Sequence, residues 1–137
     1  MPYGYHGCYL RIDVSTGHVE RVPVSDDALR QYIGGSGLGA RILLGSDLDS
    51  GVGPAARQNQ DLSPDPLAPV AALIFALTPP GGGPPPTSAK FAVVSLSPLT
   101  GRFNDSLASS GFAVAGKEAG CDAIVIVGRA EKLSVLV

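Results

Sequence analysis

The chain has 137 residues, of which 45% are hydrophobic and 16% are charged, and its formal net charge is −2. This length suits one domain with a real core, and the charge balance lacks the basic surface that nucleic-acid partners require. No apolar run approaches the roughly 18 residues of a membrane span. The N-terminus has no positively charged region followed by an apolar stretch, so no signal peptide is predicted and the cytoplasm is the expected location.

The residue types that build metal and catalytic centres are few and scattered. Cys8 and Cys121 form no CxxC pair and are too few for a zinc or iron–sulfur site, so both are expected to be half-buried thiols. His6 and His18 also lie apart in the sequence and are expected at the surface or in turns. No Ser/His/Asp arrangement and no pair of carboxylates in an apolar setting is found, so the sequence predicts no catalytic residue and no metal ligand.

The chain begins with a pattern typical of a β-hairpin. Apolar and polar residues alternate over 8–14, the turn residues Ser-Thr-Gly follow at 15–17, and an apolar return strand covers 19–24. Ser25 is a good cap for a short helix that continues through Ile33. Two aspartates occupy the first turn of that helix, where the helix dipole favours negative charge.

The glycine-rich stretch GGSGLGA at 34–40 separates this helix from a second one, predicted over about 38–44. It contains the pattern G-x-G-x-x-A, but a dinucleotide site needs a strand before the glycines, and here a helix precedes them. The stretch is therefore interpreted as a helix–helix corner whose glycines allow positive φ and close packing. Nucleotide binding is a minor alternative.

The middle and the end of the chain combine irregular loops with apolar strands. Residues 45–70 show no periodicity and predict a long irregular loop. The run PPGGGPPP at 79–86 is either a simple connection or a cover over a flat ligand or a partner. Small residues over 107–120 predict a helix that ends at Gly120. Strands are predicted at 71–77, 90–96 and 122–128, with a last one beginning at 133.

These elements define the expected fold class. About six strands and three short helices are predicted, and the first two strands pair through a tight turn. This order predicts an α+β domain with a β-rich sheet, mixed or largely antiparallel, rather than a doubly wound fold. A sheet whose chain ends on a strand would leave an open edge, which predicts a partner.

The stretch SPLTGRFNDSLASSGF, at 97–112, is the main candidate for a ligand site. A turn is followed by Asn104, Asp105 and Ser106, all good N-cap types, so the amides of residues 107–109 would open a helix and accept an anion. Lys90 would reach this point from a neighbouring strand. In the alternative interpretation, Asp105 itself satisfies these amides and no ligand binds.

Four stretches resemble, in order, the N-terminal domain of the aldehyde ferredoxin oxidoreductase family: GYHGCYLRIDVSTGHVE, YIGGSGLGARILL, KFAVVSLSPLTGRFNDSLASSGF and AGCDAIVIVGRAEK. These enzymes carry tungsten, sometimes molybdenum, on a bis-pterin cofactor. The resemblance implies that residues 1–137 form part of a β-rich domain with two related halves, on which the cofactor lies. The family reaction is oxidation of an aldehyde to an acid, with electrons passing through an iron–sulfur cluster to ferredoxin.

The same resemblance implies which positions bind tungstopterin or molybdopterin: Lys90, Asp105, Ser106, Leu107 and Ser109. The family usually has arginine where Lys90 stands and asparagine where Leu107 stands. It has glycine at Ser109 and commonly arginine at Ser36, so this chain departs from its relatives at four positions.

The resemblance also implies what the chain lacks. The [4Fe–4S] cysteines and the catalytic residues lie in later domains of the family, so this chain alone is not expected to catalyse the reaction. The expected partner is the catalytic and iron–sulfur segment or subunit of the same enzyme, with ferredoxin as an indirect partner and a homodimer as an alternative. The rival reading is a non-catalytic structural or assembly module that has lost its cofactor contacts.

Overall fold

The computed structural model describes residues 4–44, 65–81, 83 and 85–136. Within these ranges the chain forms one sheet of six strands in the order β2-β1-β6-β3-β4-β5. The β1–β6 pair is parallel and the other four neighbouring pairs are antiparallel. The strands are β1 Cys8–Asp13, β2 His18–Pro23, β3 Leu73–Leu77, β4 Lys90–Leu96, β5 Phe103–Ser109 and β6 Ala123–Val127, and the helices are α1 Asp26–Gln31, α2 Gly35–Leu43 and α3 Gly111–Glu118.

The predicted α+β class and mixed sheet are confirmed, and so are the first hairpin and the short helix after Ser25, although that helix ends at Gln31 and not at Ile33. Gly17 takes a φ of 73° in the hairpin turn, as the left-handed backbone of that turn requires. The hydroxyl of Ser25 accepts a hydrogen bond from the amide of Ala28 at 3.3 Å, which caps α1. Among the described residues, no helix has the length and apolar character that a membrane span requires.

The glycine-rich stretch forms the predicted corner between α1 and α2. Gly34 and Gly35 have φ values of 44° and 48°, which side chains rarely adopt. At Gly39 the helix backbone comes so close to the sheet that an added Cβ would lie 2.6 Å from a methyl carbon of Val94. α2 begins at Gly35, three residues before the predicted start, and it packs directly on β3 and β4.

The helix predicted over 107–120 is wrong in its first part. Residues 103–109 form strand β5, and the shorter helix α3 begins only after Ser110, whose hydroxyl accepts from the amide of Phe112 at 3.1 Å. The tight turn at 97–102 folds the chain back along β4, so the ladder of hydrogen bonds overrides the weak strand preference of these polar and small residues. Gly120, at φ 75°, follows the C-cap residue of α3 as predicted.

The strand predicted from 133 onward is also wrong for the residues that the structure describes. Residues 133–136 are exposed and belong to no strand, because the two edges of the sheet are β2 and β5 and this segment pairs with neither. Of the loop predicted over 45–70, residues 45–64 lie outside the described part. Residues 65–70 consist mainly of turns, in line with the prediction.

The core consists of two apolar clusters on opposite faces of the sheet. On one face of the sheet, which we call the α2 face, Ile74, Ala76 and Val94 pack under α2. On the other, which we call the α3 face, Leu77 and Phe91 pack under α3. On the α3 face, Gly116 is needed because an added Cβ would lie 2.9 Å from a methyl carbon of Leu77. Among the described residues, α2 packs on one face and α3 on the other.

A buried ion pair ties the N-terminal segment to the end of α3, and nothing in the sequence signalled it. Asp122 has no exposed surface, and its carboxylate accepts hydrogen bonds from Lys117 Nζ at 2.8 Å and from the Gly7 amide at 2.7 Å. The amide of His6 donates to the same carboxylate at 2.9 Å. Lys117 Nζ also donates to the Gly4 carbonyl at 2.7 Å, so both charges are fully partnered.

Burial raises the pKa of the Cys121 thiol and of the Tyr5 phenol. A group with a raised folded-state pKa keeps its proton longer in the folded chain, so its stabilising effect is complete below the unfolded pKa and is lost as pH rises above it. We therefore expect the free energy of unfolding to fall above about pH 9, where an unfolded thiol ionises. The measurement is urea unfolding at a series of pH values from 7 to 11.

The Tyr5 hydroxyl offers a variant that separates this effect from packing. Its oxygen is buried, and the interaction with the Gly34 backbone lowers its pKa by less than burial raises it. Tyr5→Phe should therefore leave the stability at pH 7 unchanged or slightly higher, and it should flatten the loss at the alkaline end. Equal alkaline losses in the variant and the parent chain would contradict this assignment.

Candidate functional site

Strand β5 is the exposed edge of the sheet. All seven of its residues, Phe103–Ser109, are exposed, and β4 is its one neighbour among the strands that the structure describes. The other edge strand, β2, contains Glu20, Arg21 and Pro23, the kinds of residue that keep a free edge from pairing. β5 contains one charged residue, Asp105, and no proline. The two edges therefore differ in chemistry, and β5 is the one that presents open main-chain groups.

The register of β5 on β4 decides which main-chain groups are open. Ser110 donates to the Ala89 carbonyl at 3.2 Å, and Ser97 donates to the Arg102 carbonyl at 2.8 Å. In an antiparallel ladder the main-chain groups of alternate residues point to opposite sides. The amides and carbonyls that point to β4 are therefore those of Asn104, Ser106 and Ala108, and those that point away from it, to the open edge, belong to Phe103, Asp105, Leu107 and Ser109.

Lys90 lies at the end of this open edge. It is the first residue of β4, it pairs with Ser109 in the register, and its ammonium donates to the Ser109 hydroxyl at 3.2 Å. Both side chains are exposed. A positive charge is thus held beside the outward amide of Ser109, and the predicted proximity of Lys90 to this segment is what the structure shows.

The start of α2 meets the middle of β5, a contact that spans 69 positions in the sequence. The Ser36 hydroxyl lies 2.5 Å from a carboxylate oxygen of Asp105. The N-cap residue of α2, Gly34, makes no side-chain hydrogen bond to the helix, so the first amides of α2 lack a side-chain cap. Because the two stretches are far apart in the chain and neither carries a pairing signal, sequence reasoning missed that they form one surface.

The structure gives the predicted site residues a different setting from a helix start. The α2 face of the sheet carries the side chains of Lys90, Asp105, Leu107 and Ser109. Lys90 lies two residues before Ala92 in β4, and the three β5 residues pair directly with Val94, Ala92 and Lys90. Ser106 points to the opposite face, and its main chain is paired with Val93. Asp105 does not cap residues 107–109, because those residues are in a strand and its carboxylate contacts Ser36 instead. Four of the five predicted residues are therefore together, and Ser106 is apart.

The open edge combines donors for an anion with acceptors for a cation. Outward amides beside an ammonium group suit phosphate oxygens, and outward carbonyls suit a hard cation that prefers oxygen ligands. In the described ranges no group of three or more His, Cys, Asp or Glu side chains could hold a metal ion. The chemistry of the edge is thus suited to a charged ligand, but the described side chains provide no site for a transition metal of their own.

The described residues of the proline–glycine loop contact the rest of the chain. Thr78 Oγ1 donates to the Lys90 carbonyl at 3.0 Å, and Gly81 donates to the Thr78 carbonyl at 3.0 Å. Pro79 lies against Gly4 and Gly34, where an added Cβ would come within 2.5 Å of its atoms. These contacts favour the interpretation of a connecting loop and tie its first residues to the start of β4, next to the open edge.

The fold places the chain among α+β domains built on one mixed sheet with helices on both faces. It belongs to the aldehyde ferredoxin oxidoreductase family, since the family model described as "Aldehyde ferredoxin oxidoreductase, N-terminal domain" matches residues 9–137. This confirms the resemblance found in the sequence.

The chain is similar to two curated proteins and to one solved structure. It is 33% identical over 130 residues to the tungsten-containing aldehyde ferredoxin oxidoreductase of Pyrococcus furiosus, covering 95% of this chain and 19% of that protein. It is also 33% identical over 132 residues to the aliphatic sulfonate oxidoreductase, WOR-like subunit, of the same organism, covering 94% and 19%. A solved structure, the active site complex BamBC of benzoyl coenzyme A reductase with 1,5-dienoyl-CoA, superimposes with a TM-score of 0.79 and 28% identity, over 97% of this chain and 18% of that one. The chain thus spans about a fifth of its relatives.

Proposed function

We propose that this chain is the cofactor-base domain of a tungsten or molybdenum bis-pterin oxidoreductase that oxidises aldehydes to carboxylic acids and passes electrons to ferredoxin. The observation that carries the proposal is the open edge of β5, where outward main-chain groups lie beside the Lys90 ammonium. The name of the Pyrococcus furiosus relative supports tungsten, aldehyde and ferredoxin as the metal, substrate and acceptor.

The residues of this edge suit the phosphate groups of a pterin cofactor. The outward amides of Asp105, Leu107 and Ser109 would donate to phosphate oxygens, and Lys90 would add a charge-assisted hydrogen bond. The outward carbonyls would hold a counter-ion, which needs no side-chain oxygen at Leu107. When bound, the metallopterin supplies the two-electron redox chemistry of the reaction.

The contribution of this chain is to bind and orient. The β4–β5 ladder fixes the spacing of the donors, and the hydrogen bond from Lys90 to Ser109 holds the ammonium at the end of the row. On the α2 face, the contact between Ser36 and Asp105 fixes the start of the helix against the strand. Donors that are already in place lose little conformational entropy when a ligand binds.

The chemistry at the substrate belongs to another part of the enzyme. Relatives of similar identity are named for an aldehyde and an aliphatic sulfonate, and the matching solved structure is a benzoyl coenzyme A reductase. A similar stretch thus occurs in proteins named for different substrates, which supports a substrate pocket, a [4Fe–4S] cluster and catalytic residues outside this chain. We propose a catalytic and iron–sulfur segment or subunit as its partner, in the cytoplasm.

Replacing Lys90 tests the proposal. In the complete enzyme that carries this chain, Lys90→Gln should lower the tungsten or molybdenum content per protein about tenfold, because it removes a charge-assisted hydrogen bond worth about 1.5–3 kcal/mol. Metal is measured by mass spectrometry and pterin by the fluorescence of its oxidised form. Lys90→Arg should retain the cofactor, and Lys132→Gln, at an exposed site outside the elements, is the matched control. Unchanged metal content in Lys90→Gln would reject the site.

A structural or assembly module is the second candidate function. The Asp105 carboxylate lies on the open edge, where it would repel phosphate, and the Leu107 side chain is 72% exposed without a polar group. Both favour a surface that contacts protein. A complete assembly that contains this chain but holds neither metal nor pterin would establish this candidate and exclude the first.

A further inference from the structure

The α3 face of the sheet has an apolar row that no described element covers. Val19, Ile12, Ile126 and Leu73 are direct neighbours across β2, β1, β6 and β3. Val19 is 56% exposed and Leu73 is 38% exposed, and the two isoleucines are half-buried. Within the described part of the chain, none of the four belongs to either core cluster.

Helix α3 covers only the other end of this face. Its first turn places Phe112 at 5.0 Å from Phe91 of β4, measured between ring centroids. At its other end, the carbonyls of Ala119 and Gly120 accept from Arg21 of β2 at 3.0 and 2.8 Å. α3 therefore crosses the strands from the β4 side to the β2 side. The apolar row crosses the same face, and it lies further from α3 than the row that contains Leu10, Ile124 and Phe75.

The uncovered space has the dimensions of one more helix. The residue that pairs with Phe91 under α3 is Leu77, four residues along β3 from Leu73, which corresponds to about 13 Å of strand. Two helices packed side by side lie about 8–10 Å apart, so a second helix next to α3 would cover the apolar row and the row beside it. Four strands span about 14 Å between their outer members, which is about ten residues of helix.

We propose that the apolar row is the docking surface for an amphipathic helix from the remainder of the enzyme, laid beside α3. The chain spans only 19% of the relatives it matches, so about four-fifths of such an enzyme lies outside it and has to pack against it somewhere. A second copy is a poorer occupant, because one row of four side chains falls far short of the roughly 800 Å² per partner of a stable interface. This inference rests on the proposed function only in requiring a larger enzyme, since the row is on the opposite face from the Lys90 side chain.

A charge placed on the row tests the docking in two contexts. In the isolated 137-residue chain, Leu73→Glu and Val19→Glu should change the melting temperature by no more than about 2 °C, because both side chains are exposed there. In the complete enzyme the same substitutions should lower the yield of soluble assembled enzyme about tenfold or more, because a charge is then buried without a partner. Leu99→Glu, at a 92% exposed leucine in the β4–β5 turn, is the control and should have no effect in either context.

Each other outcome overturns the inference. Normal yield of the assembled variants would show that no helix docks on the row. A large loss of stability in the isolated chain would show that a segment of this chain covers it. A change from dimer to monomer in the isolated chain, measured by light scattering, would assign the row to a second copy. The cofactor proposal fails separately, because Lys90→Gln is expected to assemble normally and to lose metal.

Discussion

Replacing Asp122 by alanine is expected to lower the free energy of unfolding by about 3–5 kcal/mol, the typical cost of leaving one member of a buried ion pair alone. The substitution removes a carboxylate that has no exposed surface and that accepts hydrogen bonds from Lys117 and from the amides of His6 and Gly7. Because whole domains are stable by only about 5–15 kcal/mol, the variant should be close to unfolding at room temperature. Urea unfolding monitored by circular dichroism provides the measurement.

Two further variants show whether the orphaned charge is the cause. Lys117→Met in the Asp122→Ala background should recover part of the loss, since it removes the ammonium that has no counter-charge. Asp105→Ala, which removes an exposed carboxylate that also makes a side-chain hydrogen bond, should cost less than about 1 kcal/mol. Strict additivity of the Lys117 and Asp122 substitutions would mean that the two charges do not depend on each other.

Replacing Gly39 by alanine should destabilise the chain by about 1–3 kcal/mol, although alanine is the better helix former by about 1 kcal/mol. The added Cβ would lie 2.6 Å from one carbon of Val94 and 3.1 Å from another, so α2 has to move away from β4. Urea unfolding measures the cost, and since α2 also carries Ser36 against Asp105, the open edge should be disturbed as well.

Val94→Ala supplies the matching double-mutant cycle. In that background the methyl carbon at 2.6 Å is gone and the Cβ of residue 94 stays 3.1 Å from the added Cβ, so the cost of Gly39→Ala should fall to about 1 kcal/mol or less. A glycine substitution away from the sheet gives the control. An added Cβ at Gly111 meets nothing within 4 Å, so Gly111→Ala should be tolerated. An equal cost for Gly39→Ala with and without Val94 would show that packing on the sheet is not the reason for this glycine.

The sequence predicted those elements whose signal is local. The alternation in β1, the cap at Ser25, the apolar runs of β3, β4 and β6 and the stop at Gly120 all depend on neighbours in the chain, and each is where it was predicted. β5 has no apolar face because both of its faces are exposed, so periodicity could not find it. Its identity as a strand comes from pairing with β4, which only the folded chain supplies.

The same distinction applies to the candidate site. The sequence identified Lys90 and the segment around Asp105, because a charged residue and a cluster of polar residues can be recognised from the order of residues alone. It assigned the donors to a helix start, whereas they are alternate main-chain groups of a strand edge, and that alternation follows from register. The contacts of Ser36 with Asp105, of Lys117 with Gly4 and of Asp122 with Gly7 join segments whose pairing no local pattern encodes.

The position of β1 between β2 and β6 has a consequence for how the chain reaches its native state. The hairpin can form from residues near the N-terminus, but the second side of β1 has to wait for a strand that begins more than a hundred positions later. Such non-local closure raises contact order and slows folding. During synthesis on the ribosome the first hairpin is therefore made early and stays half-paired until residue 127 has emerged.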